Sequence, residues 1–471
     1  MSGSNEGPHL KKALGLFDLT LLLIVAVVNL NLVPAIANEG VGVTTLWVLA
    51  FLFFFLPQAV AVIELSSRLP GEGGIYLWSK IPFGEFHGFI SGWCYWTNNL
   101  FYIPTLLIYF VNCAFFVVGQ GASPLAANMF FTQGMSIVLL WIIVGLNVRG
   151  LEVAKWVQNT GAMAAFVIVA VLVIVSFWNF TTYDSASAIN MSTLLPGMVG
   201  LGTVAALGQV CYSLVGLELG SVMGDEIKGP GLNIPKAVLI AGICCIVLYV
   251  LATLAVQISV PVGSIPADKG LPEALGQALG HQNIGWMLAP LSLILSISAA
   301  GATSAWFAGS TRIPFVIGID RYLPSSFGVL HPRYNTPYKA IIVEGAASTV
   351  IIIFNSFQAT VEEAFKVLLN TSVVLQLIPF LYMFAALVKA QRKNVRSENG
   401  TPYFKSSILC LIAGTAGFVI TAMGILLTFL LQPGISNYEF KLTLGCVTFL
   451  LLAVVIYLRR ARNKPPEPSV A

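Results

Sequence analysis

Twelve stretches of about 20 mostly apolar residues follow one another along this chain, each closed off by a charged or Pro/Gly-rich segment. A helix of that length rises about 1.5 Å per residue and so crosses a hydrocarbon layer about 30 Å thick with its backbone groups bonded internally. The stretches lie near 15–36, 43–65, 86–118, 131–147, 153–178, 199–224, 237–260, 285–315, 338–356, 364–388, 407–431 and 441–459. The third is longer than one crossing requires and is expected to tilt or to include part of a loop. The chain is 57% hydrophobic and 9% charged, where soluble domains carry roughly a quarter charged residues. The expected fold class is therefore an all-α membrane protein with 12 transmembrane helices.

The longest polar interruptions, 66–85, 179–198, 261–284, 316–337 and 389–406, read as loops or short interfacial helices. This leaves a cytoplasmic N-terminal tail at 1–14, a single transmembrane domain at 15–459 and a cytoplasmic C-terminal tail at 460–471. The last tail is basic and then proline-rich (Lys464, Pro465, Pro466, Pro468) and is expected to be disordered. The first residues are polar and no small-residue cleavage site follows the first span, so no signal peptide is expected.

Charge sets the expected orientation. With the N-terminus inside, all of the 24 Lys and Arg residues except Lys269, Lys366 and Lys441 fall in inside loops and tails. That bias fits a multi-pass protein of the cytoplasmic membrane with both termini cytoplasmic, since one missed span would scramble it. It also accounts for the net charge of +4, and no nucleic-acid partner is needed.

Cys94, Cys113, Cys211, Cys244, Cys245, Cys410 and Cys446 sit in apolar segments without metal-ligand or redox spacing and read as small hydrophobes. The histidines His9, His87, His281 and His331 are scattered, so no metal site follows. Gly71, Glu72, Gly73 and Gly74 lack phosphate-loop spacing and read as a loop turn. No cofactor and no enzymatic activity are expected.

Five spans before the polar loop at 179–198 and five after it form halves of odd helix number, which must be inverted relative to each other. Spans 11 and 12 are then additions. In such repeats the first helix of each half carries a break that exposes backbone to substrate. Span 6 breaks at Ser213, Leu214, Val215, Gly216 and Leu217. In span 1 the corresponding region is Val28, Asn29, Leu30, Asn31, Leu32, Val33 and Pro34. Pro34 cannot donate its backbone hydrogen bond, and the two asparagines compete for the freed groups.

Glu218 follows the second break at once. A charge inside a membrane segment costs on the order of 2 to 3 kcal/mol even on the mildest scale, so it is usually kept for a task. It reads as a proton acceptor, a counter-ion for a substrate amine, or a gate latch on freed amides, against the alternative of a structural acid held neutral. Glu64, with Arg68 one turn on, and Glu344, a little past Lys339, read as helix-end ion pairs. Tyr212 precedes the span 6 break, Trp306 lies in span 8, and Trp93, Tyr95, Trp96 and Tyr102 cluster in span 3. Asn98 and Asn99 either bond between helices or face the pathway. The span interiors offer no Lys or Arg to neutralise a second substrate carboxylate, which leans towards neutral or cationic amino compounds. A zwitterion's own carboxylate would rest on backbone amides at half-helix N-termini.

At these residues the chain resembles the amino acid, polyamine and organocation transporter superfamily, over about residues 13–430. YSLVGLELG followed by DEIKGPGLNIPKA is similar to its aromatic-S-x-x-G-x-E break and N-P-x-R-N-I-P-x-A exit. ELSSRLPGEGGIYLWSKIPFG resembles its E-L-x-x-x-x-P-x-x-G-G-x-Y-x-W-x-x-x-x-F-G loop, and SAWFAGSTRIPFVIGIDRYLPSSFGVLHPRYNTP its W-x-x-x-x-x-R, D-x-x-L-P and T-P pattern. The YW, NN and YIPTLL run and SAWFAGSTR look most like the glutamate/GABA antiporter branch, which includes amine exchangers.

The resemblance implies a LeuT-like five-plus-five inverted repeat with broken helices 1 and 6, and alternating access. It also implies a substrate site made of Val28, Asn29, Leu30, Asn31, Trp96, Asn99, Tyr212, Ser213, Val215, Gly216 and Trp306. Tyr212 would be the aromatic lid, Glu218 the gating or proton-coupling acid, and Trp306 a pocket wall. The expected function is secondary active transport of amino acids or related amines, as antiporter or proton-coupled symporter, with a small molecule, the lipid bilayer and protons as its partners. The alternative is a transporter-like sensor that binds without flux. Two departures stand out. The family's G-S-G falls at Val27, Val28 and Asn29, where valine denies the close backbone approach of glycine, and Leu232 stands where an exit-loop arginine is usual.

Overall fold

The computed structural model describes residues 10–119, 124–126, 128–183, 186–187, 206–261, 264, 270–357, 360–398, 400–429 and 437–461. The expected ends of both tails, the first part of span 6 at 199–205, His9, Lys269, Arg462 and Lys464 lie outside these residues.

Among the described residues, 10 helices are long and apolar enough to cross a membrane. Before them stand two short helices, α1 (Leu16–Val27) and α2 (Val33–Ala37). The first long helix, α3 (Val43–Arg68), changes to π-helical hydrogen bonding at Phe51–Phe55, immediately before Pro57. A proline without an N–H, whose ring crowds the carbonyl one turn back, is relieved by such a wider turn. A loop and the short helix α4 (Ile75–Phe83) lead into α5 (Glu85–Val117), followed by α6 (Met129–Val148) and α7 (Leu151–Thr182).

Two very short helices come next, α8 (Leu207–Ser213) and α9 (Leu219–Val222), and then the long α10 (Pro230–Ser259). The loop helix α11 (Gly270–His281) precedes α12 (Leu288–Ser310) and α13 (Arg312–Ile319), which together form one spanning unit. The chain closes with α14 (Tyr338–Asn355), α15 (Val361–Lys393), α16 (Ser407–Thr428) and α17 (Tyr438–Ala461).

Burial sorts these helices into centre and rim. The most apolar window of α5 is 78% buried and that of α15 is 72%, whereas α16 reaches 33% and α17 only 17%. The rim exposes Trp156, Ile174, Phe177, Leu426 and Phe440, large apolar side chains that water would not solvate and lipid does. α12 packs on α5 and α7, α1 on α10 and α7, and α15 on α5 and α16. The short elements α1, α2, α8 and α9 are therefore enclosed by long helices, and 0 to 4% of the surface of residues such as Val27, Val28, Tyr212 and Leu217 is exposed.

Candidate functional site

Helix α1 stops at Val27 because the chain turns sharply at Val28, with φ −79° and ψ 82°. This is an inverse γ-turn, in which Asn29 N–H donates to Val27 O at 2.9 Å. The next helical turn begins at Val33, with Pro34 in its first turn, where a missing N–H costs nothing. The Asn29 side chain folds back, donating from Nδ2 to Ala26 O at 2.8 Å and to Val27 O at 3.2 Å. Asn29 Oδ1 is buried without a hydrogen-bond partner. Leu30 and Asn31 complete the buried link.

The second interruption runs from Leu214 to Glu218, and Gly216 turns it with φ +136°, a conformation closed to side-chain-bearing residues. Space demands glycine as well. A Cβ there would lie 2.9 Å from Val27 Cγ2 and 3.2 Å from Val27 N. The departure at Val27 is thus absorbed from the other side: Gly216 alone supplies the close approach, and the valine fills the room it leaves.

Glu218 is fully buried and satisfied by three uncharged donors. Gly216 N–H reaches its Oε2 at 2.9 Å, Gln58 Nε2 reaches the same oxygen at 3.1 Å, and the Tyr95 hydroxyl reaches Oε1 at 3.0 Å. The carboxylate therefore holds the break in its own chain and ties it to α3 and α5.

The two interruptions meet at a residue that sequence reasoning missed. Tyr249 of α10 is fully buried, its ring stacked on Trp47 at 4.4 Å. Its hydroxyl lies 2.5 Å from Val27 O and 2.9 Å from Ser213 O, and it accepts Asn29 N–H at 3.0 Å. One hydroxyl carries one proton, so two converging carbonyls share a single donor. In sequence Tyr249 is one aromatic in an apolar run. The available signal was that a buried tyrosine hydroxyl needs partners.

Aromatic rings close the crossing. Tyr102 stands edge-on to Tyr212 at 5.2 Å and to Trp306 at 5.9 Å, and Trp306 Nε1 donates to Ala26 O at 2.9 Å. The Tyr212 hydroxyl donates to Asn98 Oδ1 at 3.1 Å, and Asn98 Nδ2 to Gln376 Oε1 at 2.8 Å, so this asparagine bonds between helices. Asn99 donates to Tyr95 O of its own helix, and its Oδ1 is left without a partner. Beside the first break, Val28, Asn29, Leu30 and Asn31 line a cavity of about 10 Å³ with Leu106, Tyr109 and Ser298. That holds about one water, so entry of a substrate requires movement. Val215, also fully buried, donates its N–H to Tyr212 O at 3.0 Å.

Trp96 is placed differently from the other candidates: its Nε1 donates to Glu344 Oε2 at 3.1 Å. Glu344 Oε1 accepts Ser310 Oγ at 2.5 Å. The expected pairing of Glu344 with Lys339 is therefore corrected. Five residues along a helix turn the side chain by about 140°, which faces Glu344 inward. Glu64 does pair with Arg68, at 2.5 Å.

A family model described as amino acid permease matches residues 14–454. An uncharacterized transporter of Legionella pneumophila is 29% identical over 399 residues, 83% of this chain and 84% of its own. A probable agmatine/putrescine antiporter of Lactococcus lactis is 20% identical over 98% of this chain and 97% of its own. A branched-chain amino acid permease of Bacillus subtilis is 25% identical, covering 73% and 74%.

Proposed function

This chain belongs to the amino acid permease family, a family of transporters and not of enzymes, and we propose that it is a secondary active transporter that carries primary amines by alternating access. The supporting observation is the convergence of Val27 O and Ser213 O on one hydroxyl. Val27 O also accepts Asn29 N–H and Nδ2, whereas the donor at Ser213 O is the Tyr249 hydroxyl, so with that proton turned to Val27 O, Ser213 O can take an ammonium group, which brings three. Tyr102, Tyr212 and Trp306 pack edge to face with one another, and an aromatic face turned to the crossing would attract the same cation. The candidate set Val28, Asn29, Leu30, Asn31, Asn99, Tyr212, Ser213, Val215, Gly216 and Trp306 surrounds this crossing in the proposal. Trp96 contributes from the side through Glu344.

In this reading α1 with α2, and α8 with α9, are the two broken helices, numbers 1 and 6. Added to the 10 long helices they make twelve spans, the first ten forming the five-plus-five inverted repeat, in a multi-pass protein with both termini cytoplasmic. Glu218 is the gating and proton-coupling acid: its three uncharged donors hold the break closed, and gaining a proton would weaken them. The branch similar to glutamate/GABA antiporters, and the agmatine/putrescine antiporter among the relatives, favour exchange of amines.

Uptake of labelled putrescine, agmatine and leucine into proteoliposomes tests this. The native protein is expected to accumulate at least one of them saturably, with Tyr212→Ala and Glu218→Gln each lowering the rate at least about tenfold, the loss of one charged-group hydrogen bond or more. Normal flux in both variants would refute the site. Saturable binding without flux would support the sensor reading instead.

A further inference from the structure

Ser310 ends α12 and Trp96 sits inside α5, and both reach one carboxyl group on α14. Glu344 is fully buried. Its Oε2 accepts Trp96 Nε1 at 3.1 Å and its Oε1 accepts the Ser310 hydroxyl at 2.5 Å. These two uncharged groups are its hydrogen-bond partners among the described residues. The guanidinium at the start of α13 is committed elsewhere: Arg312 forks onto Glu226, with Nε to Oε2 at 2.8 Å and Nη2 to Oε1 at 2.9 Å, and gives Nη1 to Ala308 O and Thr311 Oγ1. Glu344 is therefore an acid at membrane depth with no cation bonded to it, a costly arrangement for a group of purely structural use.

The elements around Glu344 are poor in charge. α6, which packs along α14, has no titratable residue between Met129 and Val148, and α12 has none between Leu288 and Ser310. α5 carries Glu85 and His87 in its first turn, about 14 to 16 Å along the axis from Trp96 at 1.5 Å per residue. Beside Trp96 it brings Cys94 and Tyr95, both neutral groups, and the Tyr95 hydroxyl is given to Glu218. α13 brings Arg312, held by Glu226, and is followed by Asp320, paired with Lys80 at 2.6 Å. On α14 itself the charged neighbour is Lys339, five residues earlier and turned away.

Ser310 has one proton and two acceptors in reach, Glu344 Oε1 at 2.5 Å and Phe307 O at 3.3 Å. With Glu344 ionised, the hydroxyl donates to the carboxylate. With Glu344 protonated at Oε1, the new O–H donates to Ser310 Oγ, and the serine proton turns to Phe307 O. Trp96 Nε1 donates to Oε2 in either state, so every polar group keeps a partner and no heavy atom has to leave its place. We propose that Glu344 is a proton-binding site separate from Glu218, taking a proton from solvent and returning it as Ser310 turns between its two acceptors. The use of that proton rests on the transport reading. Ser310 lies one turn after Trp306 on α12, and Trp96 shares α5 with Tyr102, so Glu344 joins the two helices that wall the crossing. Protonation turns charge-assisted bonds to both helices into weaker neutral ones and loosens that join.

Infrared difference spectroscopy across a pH titration of the purified full chain, without substrate, tests the site through the C=O band of protonated carboxyl groups. The native chain is expected to gain that band reversibly as the pH falls, and Glu344→Gln to lose one carboxyl group's share of it, since glutamine does not titrate. Trp96→Phe removes a donor that serves the charged form more strongly than the neutral one, so the midpoint of that share is expected to move up by about one pH unit. An acid held in one protonation state leaves the native and Glu344→Gln titrations alike, and that result overturns the proposal, as does an unmoved midpoint in Trp96→Phe. Should Glu344→Gln fail to fold, the Trp96→Phe midpoint decides alone. In proteoliposomes Glu344→Gln is expected to lose the stimulation of uptake by an imposed pH gradient, and a response equal to the native one overturns the coupling role. The infrared titration needs no ligand, so a chain that carries none of putrescine, agmatine and leucine would refute the transport reading and leave the proton site standing.

Discussion

Tyr249→Phe is expected to cost about 1–3 kcal/mol of stability, the cost of leaving one buried backbone acceptor without its donor. The ring itself stays, stacked on Trp47, so no cavity opens and packing is nearly unchanged. What disappears is the donor to Val27 O or Ser213 O and the acceptor for Asn29 N–H. Asn29 N–H and Val27 O keep each other, so the group left without its donor is Ser213 O. The variant should melt at a clearly lower temperature in detergent and show uptake reduced at least about tenfold, the factor that about 1.4 kcal/mol represents. A melting temperature equal to that of the native chain would mean that Tyr249 does not join the two segments.

Arg312→Ala is expected to be the most damaging single change at the other end of the same machinery. It leaves Glu226, 3% exposed, without the guanidinium that forks onto it from Nε at 2.8 Å and Nη2 at 2.9 Å. Removing one partner of a buried pair costs about 3–5 kcal/mol because the remaining charge is uncompensated. The sign of the second substitution identifies the cause. Adding Glu226→Gln to Arg312→Ala is expected to restore much of the loss seen in thermal unfolding, since the stranded charge is gone. If the double variant melts lower than Arg312→Ala alone, the damage is lost packing around the arginine stem and not a stranded carboxylate.

The long helices were readable because lipid demands one thing of them, an apolar run of sufficient length, and that demand is written residue by residue. The expected 86–118 and 338–356 are observed as Glu85–Val117 and Tyr338–Asn355. That residues 28–32 and 214–218 lie outside helices agrees with a different signal: Asn29, Asn31 and Pro34, and Gly216 with Glu218, are costly inside a membrane helix. What could not be read was the partner of each polar group. Tyr249 lies more than 200 residues from Asn29, and no local pattern links them.

Glu344 shows the same gap from the other direction. A nearby lysine suggested a local pair, whereas the real partners are Ser310 and Trp96 on two other helices. The valine at position 27 read as an obstacle to close approach and turned out to be accommodated by Gly216, a compensation visible only once both segments are side by side. Long-range polar contacts of this kind depend on topology, and periodicity carries no information about them.

A cryo-EM structure of the purified protein saturated with putrescine, or with whichever labelled compound the proteoliposomes accumulate, is the most direct test of the crossing as the grip on substrate. The expected result is ligand density with its ammonium against Val27 O and Ser213 O, bounded by Trp306 and Tyr212, and with residues 28–32 and 214–218 outside any helix. Ligand density elsewhere, or helices running unbroken through those residues, would contradict it.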